Sequence, residues 1–262
     1  FDSISDALTL GTDELQCDAV LSIAEHGSYE DTPDTAQRKY PRRRFFDAIA
    51  DTFEQTGKVV PVFNDKHLSW NWKDAKAMYD RACQLKIPFQ AGSSLPFTWR
   101  YPARTIPTGA KIKTITGVAY GGLESYGFHA LEAIQCLMER RQGGEAGVRS
   151  VEAIPYDKMW AAEKAGVWSR NAVATALAAT GESADNLEER MHQDNSSIYV
   201  IEYIDGSRAV CCMFNGITAQ MSVAIEFADQ QPLLGQWFKL EEIYPFRHFE
   251  KLVRGIDKFF HT

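Results

Sequence analysis

An α/β fold in two parts is predicted: a short parallel sheet, then a larger α/β region with a mixed, mostly antiparallel open sheet. Three observations lead there. Strand and helix patterns alternate from residue 18 to residue 92, with connections long enough for right-handed parallel crossovers. Farther along, the turn Asp205-Gly206 between SIYVIEYI and SRAVCCMF is a strong signal for an antiparallel hairpin. A length of 262 residues with 45% apolar content is enough for one large domain or two ordinary ones, each with its own core.

An amphipathic pattern is already under way at Phe1, which suggests a chain that begins within a domain. DAVLSIAEHG, Asp18–Gly27, reads as a strand buried on both faces and ended by charge and glycine. Phe45, Phe46, Ile49, Ala50 and Phe53 recur at helical spacing, and Gly57 stops that helix. KVVPVF is the second strand and runs straight into Asp65, Lys66 and His67. A helix begins near Asn71, with Ala75, Met78, Tyr79, Ala82 and Leu85 on its apolar face, and IPFQAG is the third strand. The linker SSLPFTWRYPARTIPTG holds three of the ten prolines and closes the first part, which places the domains at 1–100 and 101–262. Beyond it, Lys111–Tyr120 reads as a strand, Phe128–Arg141 as a helix, Val148–Ile154 as a strand and Tyr156–Glu188 as largely helical. Phe246, Phe249, Leu252, Val253, Ile256, Phe259 and Phe260 line a closing helix.

Composition narrows the partners. With 28 basic against 35 acidic groups, net −7, there is no basic surface for a phosphate backbone, and no nucleic-acid partner is expected. No window approaches the apolar length of a membrane span, and no signal sequence opens the chain, so no membrane partner is expected. The five cysteines lack zinc-type or paired spacing; they read as small core residues in a reducing, cytoplasmic setting.

In a parallel sheet the ligand crevice lies beyond the C-terminal strand ends. Here those ends read EHG, DKH and GSS. Adjacent strands are only about 4.8 Å apart. Glu25, His26, Asp65, Lys66, His67, Ser93 and Ser94 would therefore gather at one rim. Lys66 beside Asp65 in a partly desolvated crevice suits proton transfer; a surface lysine opening a helix is the plain alternative. His129, in GGLESYGFHALEAIQ, sits in the first turn of its helix, where the dipole disfavours imidazolium. Gly121, Gly122 and Gly127 permit close approach there, and Glu124, Ser125 and Tyr126 add polar groups, although a packing histidine is the alternative. Gly143, Gly144 and Gly147 follow a helix and precede a strand, the reverse of a phosphate-binding loop, and read as a helix stop and turn. Glu25, His26, Asp65 and His67 are metal-ligand types, but a lysine among them argues against a metal, and none is assigned. Ser93 and Ser94 lack a G-x-S-x-G setting. Arg100 in TWRYP either grips a substrate anion or makes a surface or interdomain contact.

Together DAVLSIAEHG, GKVVPVFNDKHLSWNWKDAKAMYDRACQLKIPFQAGSS and GGLESYGFHALEAIQCL resemble the Gfo/Idh/MocA family of NAD(P)-dependent oxidoreductases. The resemblance implies a partial Rossmann-like sheet followed by an open-sheet domain, and NAD or NADP as cofactor. It aligns Ala24–Gly27 with the turn that meets the nicotinamide side, placing Glu25, His26, Asp65 and His67 on the cofactor side. It aligns Asp65-Lys66-His67 with the family's Glu-Lys-Pro, and His129 with its catalytic histidine. The family's Asp, four residues earlier, falls on Ser125, with Glu124 one residue before; this and the missing proline after Lys66 are departures. Ser93, Ser94, Arg100 and Tyr126 fall on the substrate side. The glycine-rich βαβ unit of the family would precede Phe1, and part of its tail would follow Thr262. The implied reaction is oxidation of a secondary alcohol, or reduction of the ketone, on a sugar, cyclitol or similar polyol, in a homo-oligomer that pairs open sheets. Two other readings stay open: a metal- or lysine-dependent hydrolase or lyase, and a non-catalytic binding protein on the same scaffold.

Overall fold

A computed structural model describes the chain apart from residues 24–26, 230–231, 242 and 262. By contacts it divides into two units, Phe1–Ser93 with Leu252–Thr262, and Ser94–Lys251.

The first unit contains helix α1 (Ile4–Thr9), strand β1 (Val20–Ser22), helix α2 (Arg42–Thr56), strand β2 (Val62–Asp65), helix α3 (Trp72–Gln84) and strand β3 (Phe89–Gly92). The strands form a parallel sheet in the order β1-β2-β3, with Val20 opposite Val62 and Val62 opposite Phe89. The alternation of strand and helix read from the sequence is thus realised. α2 turns Phe46, Ile49 and Phe53 inward against Met78 and Ala82 of α3 and against Val60 and Val62. Burying a phenylalanine or methionine of this kind contributes roughly 1.5–3 kcal/mol. Asn71 starts α3 by accepting a hydrogen bond from the Asp74 amide at 2.8 Å. One expectation needs correction: β1, read as buried on both faces, leaves Leu21 50% exposed, and among the described strands it stands at one end of the sheet. An apolar run alone does not tell a central strand from an edge.

The second unit runs through β4 (Trp99–Tyr101), β5 (Ile112–Ala119), α4 (Phe128–Met138), β6 (Val148–Pro155), α5 (Tyr156–Lys164), α6 (Arg170–Thr180), α7 (Leu187–Arg190), β7 (Ser197–Tyr203), β8 (Arg208–Met213), β9 (Met221–Phe227) and β10 (Leu234–Lys239). Helix α8 (Arg247–Phe260) follows; its residues from Leu252 group with the first unit. The seven strands lie in the order β4-β10-β9-β5-β8-β7-β6. Every neighbouring pair is antiparallel except β5 with β8. The sheet is mixed and mostly antiparallel, as predicted, and β7 and β8 pair across the Asp205-Gly206 turn. β4 falls inside the segment read as a linker, and β9 and β10 were not anticipated.

Side chains alternate between two cores, as the pleat requires. Ile115, Ala209, Cys211 and Met213 pack with Ala130, Ile134 and Leu137 of α4. Val118, Val210, Cys212 and Phe214 pack with Val173 and Leu177 of α6. Cys211 and Cys212 are buried on opposite faces, whereas Cys83 is exposed, and none of the five thiols forms a disulfide. Among the described residues no helix is long and apolar enough to cross a membrane.

Candidate functional site

In the first unit the site grows from the end of the central strand. β2 closes on Asp65, and Lys66 takes a left-handed backbone, φ 65°, which costs a non-glycine residue about 1 kcal/mol or more. Its amide donates to the Gly92 carbonyl at 2.9 Å, which carries the bend across to β3. Lys66 Nζ donates to Asp65 Oδ2 at 2.7 Å, in a pair whose side chains keep 24% and 17% of their exposure. Buried Asn64 straps the bend, its amide donating to the carbonyls of Asp65 and His67 at 3.2 Å each. His67 turns its ring to Arg42, with Nε2 2.7 Å from a guanidinium nitrogen. Because guanidinium only donates, Nε2 accepts and the ring carries its proton on Nδ1. Arg42, buried in the first turn of α2, also stacks over Tyr40 at 4.5 Å.

Asp65, Lys66 and His67 are therefore brought together, with Asp65 opposite Gly92 in register and Ser93 next along the chain. Ser93 and Ser94 are buried, and Ser94 opens a 3₁₀ turn, Leu95–Phe97. Glu25 and His26 lie outside the described residues. Arg42 and Asn64 were missed in the sequence reading. The available signal was an asparagine inside an otherwise apolar strand and three consecutive arginines, Arg42–Arg44, at a helix start where the dipole disfavours cations.

In the second unit β5 ends at Ala119 and the chain passes through Gly121 into a π turn, Leu123–Gly127, that leads directly into α4. Gly121 has φ 86°, and an added Cβ would meet the Tyr126 ring at 2.5 Å, so glycine is required twice over. Asn215, buried beside β8, holds this turn from below. Its Oδ1 accepts from the Gly121 amide at 2.6 Å, and its Nδ2 donates to Gly121 O at 3.3 Å and to Asn195 O at 2.7 Å. His129 is the second residue of α4 and is half-buried. The Tyr126 ring stands edge-on to it at 6.4 Å and packs on Tyr120 at 5.0 Å. Glu124, Ser125 and Tyr126 are exposed, and Ser125 Oγ donates to Gly122 O at 3.3 Å. A π turn repeats at five residues instead of four. Glu124 lies five residues before His129 and Ser125 four, with the π turn between them and the helix.

Arg100 lies on β4, donating to Pro96 O at 2.7 Å and covering the Phe238 ring at 5.0 Å. It also approaches Cys136 Sγ at 3.7 Å; burial pushes that thiol up to about 12 while Arg100 pulls the other way. This is an internal brace of the second unit. Gly143, Gly144 and Gly147 occupy the connection from α4 to β6, where the sequence placed a turn. Among the described residues no three His, Cys, Asp or Glu side chains gather as a metal site. A cavity of about 740 Å³ lies on the sheet face away from α4, lined by Thr114, Thr116, Trp168, Arg208 and Glu226, and holds none of the predicted site residues. Its charges are matched locally, Lys113 with Glu226 and Arg208 with Glu202, each at 2.7 Å.

No protein-family model matches the chain, and no curated protein matches it in sequence. Solved structures match in fold. Myo-inositol 2-dehydrogenase from Lactobacillus plantarum aligns with TM-score 0.53 and 9% identity over 100% of this chain and 73% of that one. Scyllo-inositol dehydrogenase from Lactobacillus casei aligns with TM-score 0.55 and 12% identity over 100% and 72%. GenD2 from gentamicin A biosynthesis, in complex with NAD, aligns with TM-score 0.50 and 12% identity; the match covers 90% of this chain but only 57% of GenD2. At such identities the likeness is one of fold. In fold this chain is similar to dehydrogenases of the Gfo/Idh/MocA type, a parallel-sheet unit joined to a larger mixed sheet.

Proposed function

We propose that this chain belongs to an oxidoreductase acting on a secondary alcohol or ketone of a sugar, cyclitol or similar polyol with NAD or NADP, and that Lys66 and His129 handle the proton. The observation that carries the proposal is Lys66. A non-glycine residue in the left-handed region, half-buried at the C-terminal end of the central strand of a parallel sheet and paired with the Asp65 carboxylate, is a costly arrangement that suits a group kept for chemistry.

Bound NAD or NADP would accept or return the hydride. The residues present fit only part of such a cofactor. The rim at Asp65 and His67 is polar and suits its reacting end, and we assign Glu25 and His26 there with them. No glycine-rich strand-to-helix loop occurs in this sequence, so no residue is assigned to the pyrophosphate.

When a carbinol carbon gives up hydride, its hydroxyl proton must pass to a base, and the same group returns it in the reverse direction. Lys66, beside Asp65, supplies the donor in reduction. His129 provides the second proton site, with Glu124, five residues earlier, assigned as the carboxylate that orients it in place of the absent Asp at Ser125. Tyr126, with its exposed ring, is assigned to the substrate side. Ser93, Ser94 and Arg100 are assigned to the same side.

General acid–base help of this kind is worth roughly 10²–10⁴ in rate, about 3–5 kcal/mol. Lys66→Ala in the intact protein is expected to lose at least a hundredfold in polyol-dependent NAD(P)H formation while keeping its circular dichroism spectrum. Near-normal turnover in that variant would sink the assignment. Ser125 at the Asp position favours one other reading, a protein that binds the same ligands without turning them over. Quenching of tryptophan emission by NAD(H) or NADP(H), without turnover of any polyol, would support it.

A further inference from the structure

We infer that the cavity between α6 and the large sheet is a binding site for a small uncharged compound carrying several hydroxyls, such as a free sugar or sugar alcohol. The cavity lies wholly within the second unit and on the sheet face away from α4. It contains none of the residues assigned to hydride transfer, and the inference does not depend on that reading.

Two rows of side chains make its floor. Strand register sets Glu202, Arg208, Thr114 and Glu226 side by side across β7, β8, β5 and β9. Two residues along each strand, and so on the same face, a second row reads Val200, Val210, Thr116 and Ala224. The first row is polar and partly exposed. The second is buried, and Ala172 and Val173 of α6 pack with its apolar members. Thr116 is the exception in that row. It is 2% exposed and lines the cavity, yet its hydroxyl makes no hydrogen bond among the described residues. Burying a hydroxyl without a partner is destabilising, and valine has the same shape without it. A threonine at this position is suited to a group that enters the cavity.

The first row holds further unused valences. Arg208 sets Nε 2.7 Å from Glu202 and donates from Nη2 to the Val167 carbonyl at 3.1 Å, which leaves Nη1 without a partner among the described residues. Glu226 accepts from Lys113 through Oε1 at 2.7 Å, and its Oε2 is unused among those residues. Arg208 and Glu226 flank Thr114 on either side, so spare donors and spare acceptors stand on both sides of one hydroxyl. Because Glu202 and Lys113 already balance these two charges, a ligand with a net charge gains little from them. Hydroxyls donate and accept at once and can meet Arg208, Glu226, Thr114 and Thr116 together, while Val210 and Ala224 offer apolar floor to the carbon face of a ring or chain. The volume of about 740 Å³ is ample for a compound of this size.

Methyl NMR on the whole protein, labelled at alanine and valine methyls, reads the cavity directly. The probes are D-glucose and sorbitol, with glutamate and inorganic phosphate as charged counterparts. At least one of the two uncharged probes is expected to shift the methyls of Ala172, Val210 and Ala224 saturably, and the charged probes are expected to leave them unmoved. Thr116→Val should weaken the binding by about tenfold or more, the loss of one buried hydrogen bond, and without ligand should melt no lower than the unaltered chain. If that variant loses its near-ultraviolet circular dichroism, Ala224→Leu, which fills the floor, replaces it and is expected to abolish the shifts. The inference is overturned if neither uncharged probe moves these methyls, if glutamate or phosphate moves them instead, or if the substituted chain binds like the unaltered one. A folded Thr116→Val that melts clearly lower would overturn it too, by showing that the hydroxyl serves the fold.

Discussion

Asn215→Ala removes the support of the turn that carries Glu124 and His129. The side chain makes three hydrogen bonds at 2.6, 2.7 and 3.3 Å, to both backbone groups of Gly121 and to Asn195 O. Asn215 itself is 8% exposed, so its partners gain little water when it is cut back. An ordinary hydrogen bond contributes about 0.5–1.5 kcal/mol net, and a buried group left without a partner costs about 1–3 kcal/mol. Counting the two short bonds and the stranded Gly121 amide, the loss should be about 2–4 kcal/mol. Four of the six tryptophans, Trp99, Trp160, Trp168 and Trp237, lie in the second unit, so their emission during urea unfolding reports mainly on it. The midpoint should fall with little change in slope. Amide exchange at Gly121 should quicken more than exchange in the core strands, because the opening is local. Asn215→Asp keeps the acceptor for Gly121 but sets a carboxylate against two carbonyl oxygens, so it should be less damaging at pH 4 than at pH 7. Unchanged stability in the alanine variant, or lost stability without faster exchange at Gly121, would show that Asn215 is not the anchor.

Further expectations concern stability elsewhere. Burial alone would raise the Asp205 carboxyl, but hydrogen bonds from the Ser207 hydroxyl and amide, and then the buried Arg141 guanidinium at 2.7 Å, hold it at about 2 against an ordinary 3.8. A depressed carboxylate contributes stability that is complete above its unfolded value and is lost as pH falls through its folded one. Asp205 should therefore supply roughly 1–2 kcal/mol, discounted for a side chain that keeps 30% of its exposure, and lose it between about pH 4 and pH 2. Urea titrations of Asp205→Asn, which should lack that pH-dependent component, check this. Gly117→Ala would put a Cβ 2.6 Å from Ile134 Cδ1, so the Ile134 side chain or α4 must give way, at a cost of about 1–3 kcal/mol. Ile134→Val in the same chain should recover part of it in thermal melts, and additive losses would refute the clash. Lys66→Gly relieves the left-handed backbone and should leave stability unchanged or raise it by up to about 1 kcal/mol while removing turnover; a clear loss of stability would mean that the side chain is chiefly structural.

The parallel sheet was legible because Phe46, Ile49 and Phe53, then Met78 and Ala82, repeat at helical spacing between apolar runs, and period is a local property. The β7–β8 hairpin was legible because its turn chemistry sits in two adjacent residues. β10 was not. LGQWFK is short and half polar, and its central Gln236 is fully buried only because Pro102 and Arg104, more than a hundred residues earlier, offer carbonyls to its amide at 3.0 and 2.8 Å. The same holds around the candidate site. Lys66 could be singled out because an apolar strand stopped in three ionisable groups, whereas Asn215 carries no local mark and gains its role from Gly121, 94 positions away. The turn that leads into His129 proved to be of the π type, a form set by the packing of Tyr126 against Gly121 and not by any local sequence mark.

The sequence by itself determined the two-part α/β order, the strand-end position of Asp65, Lys66 and His67, and the hairpin at Asp205-Gly206, because each follows from side-chain period or turn chemistry within a few residues. Tertiary structure alone decided that β1 leaves Leu21 exposed, that Arg42 seats His67, and that Asn215 and the π turn set the station of His129. Those outcomes depend on which buried polar groups find partners, and the partners lie far apart along the chain.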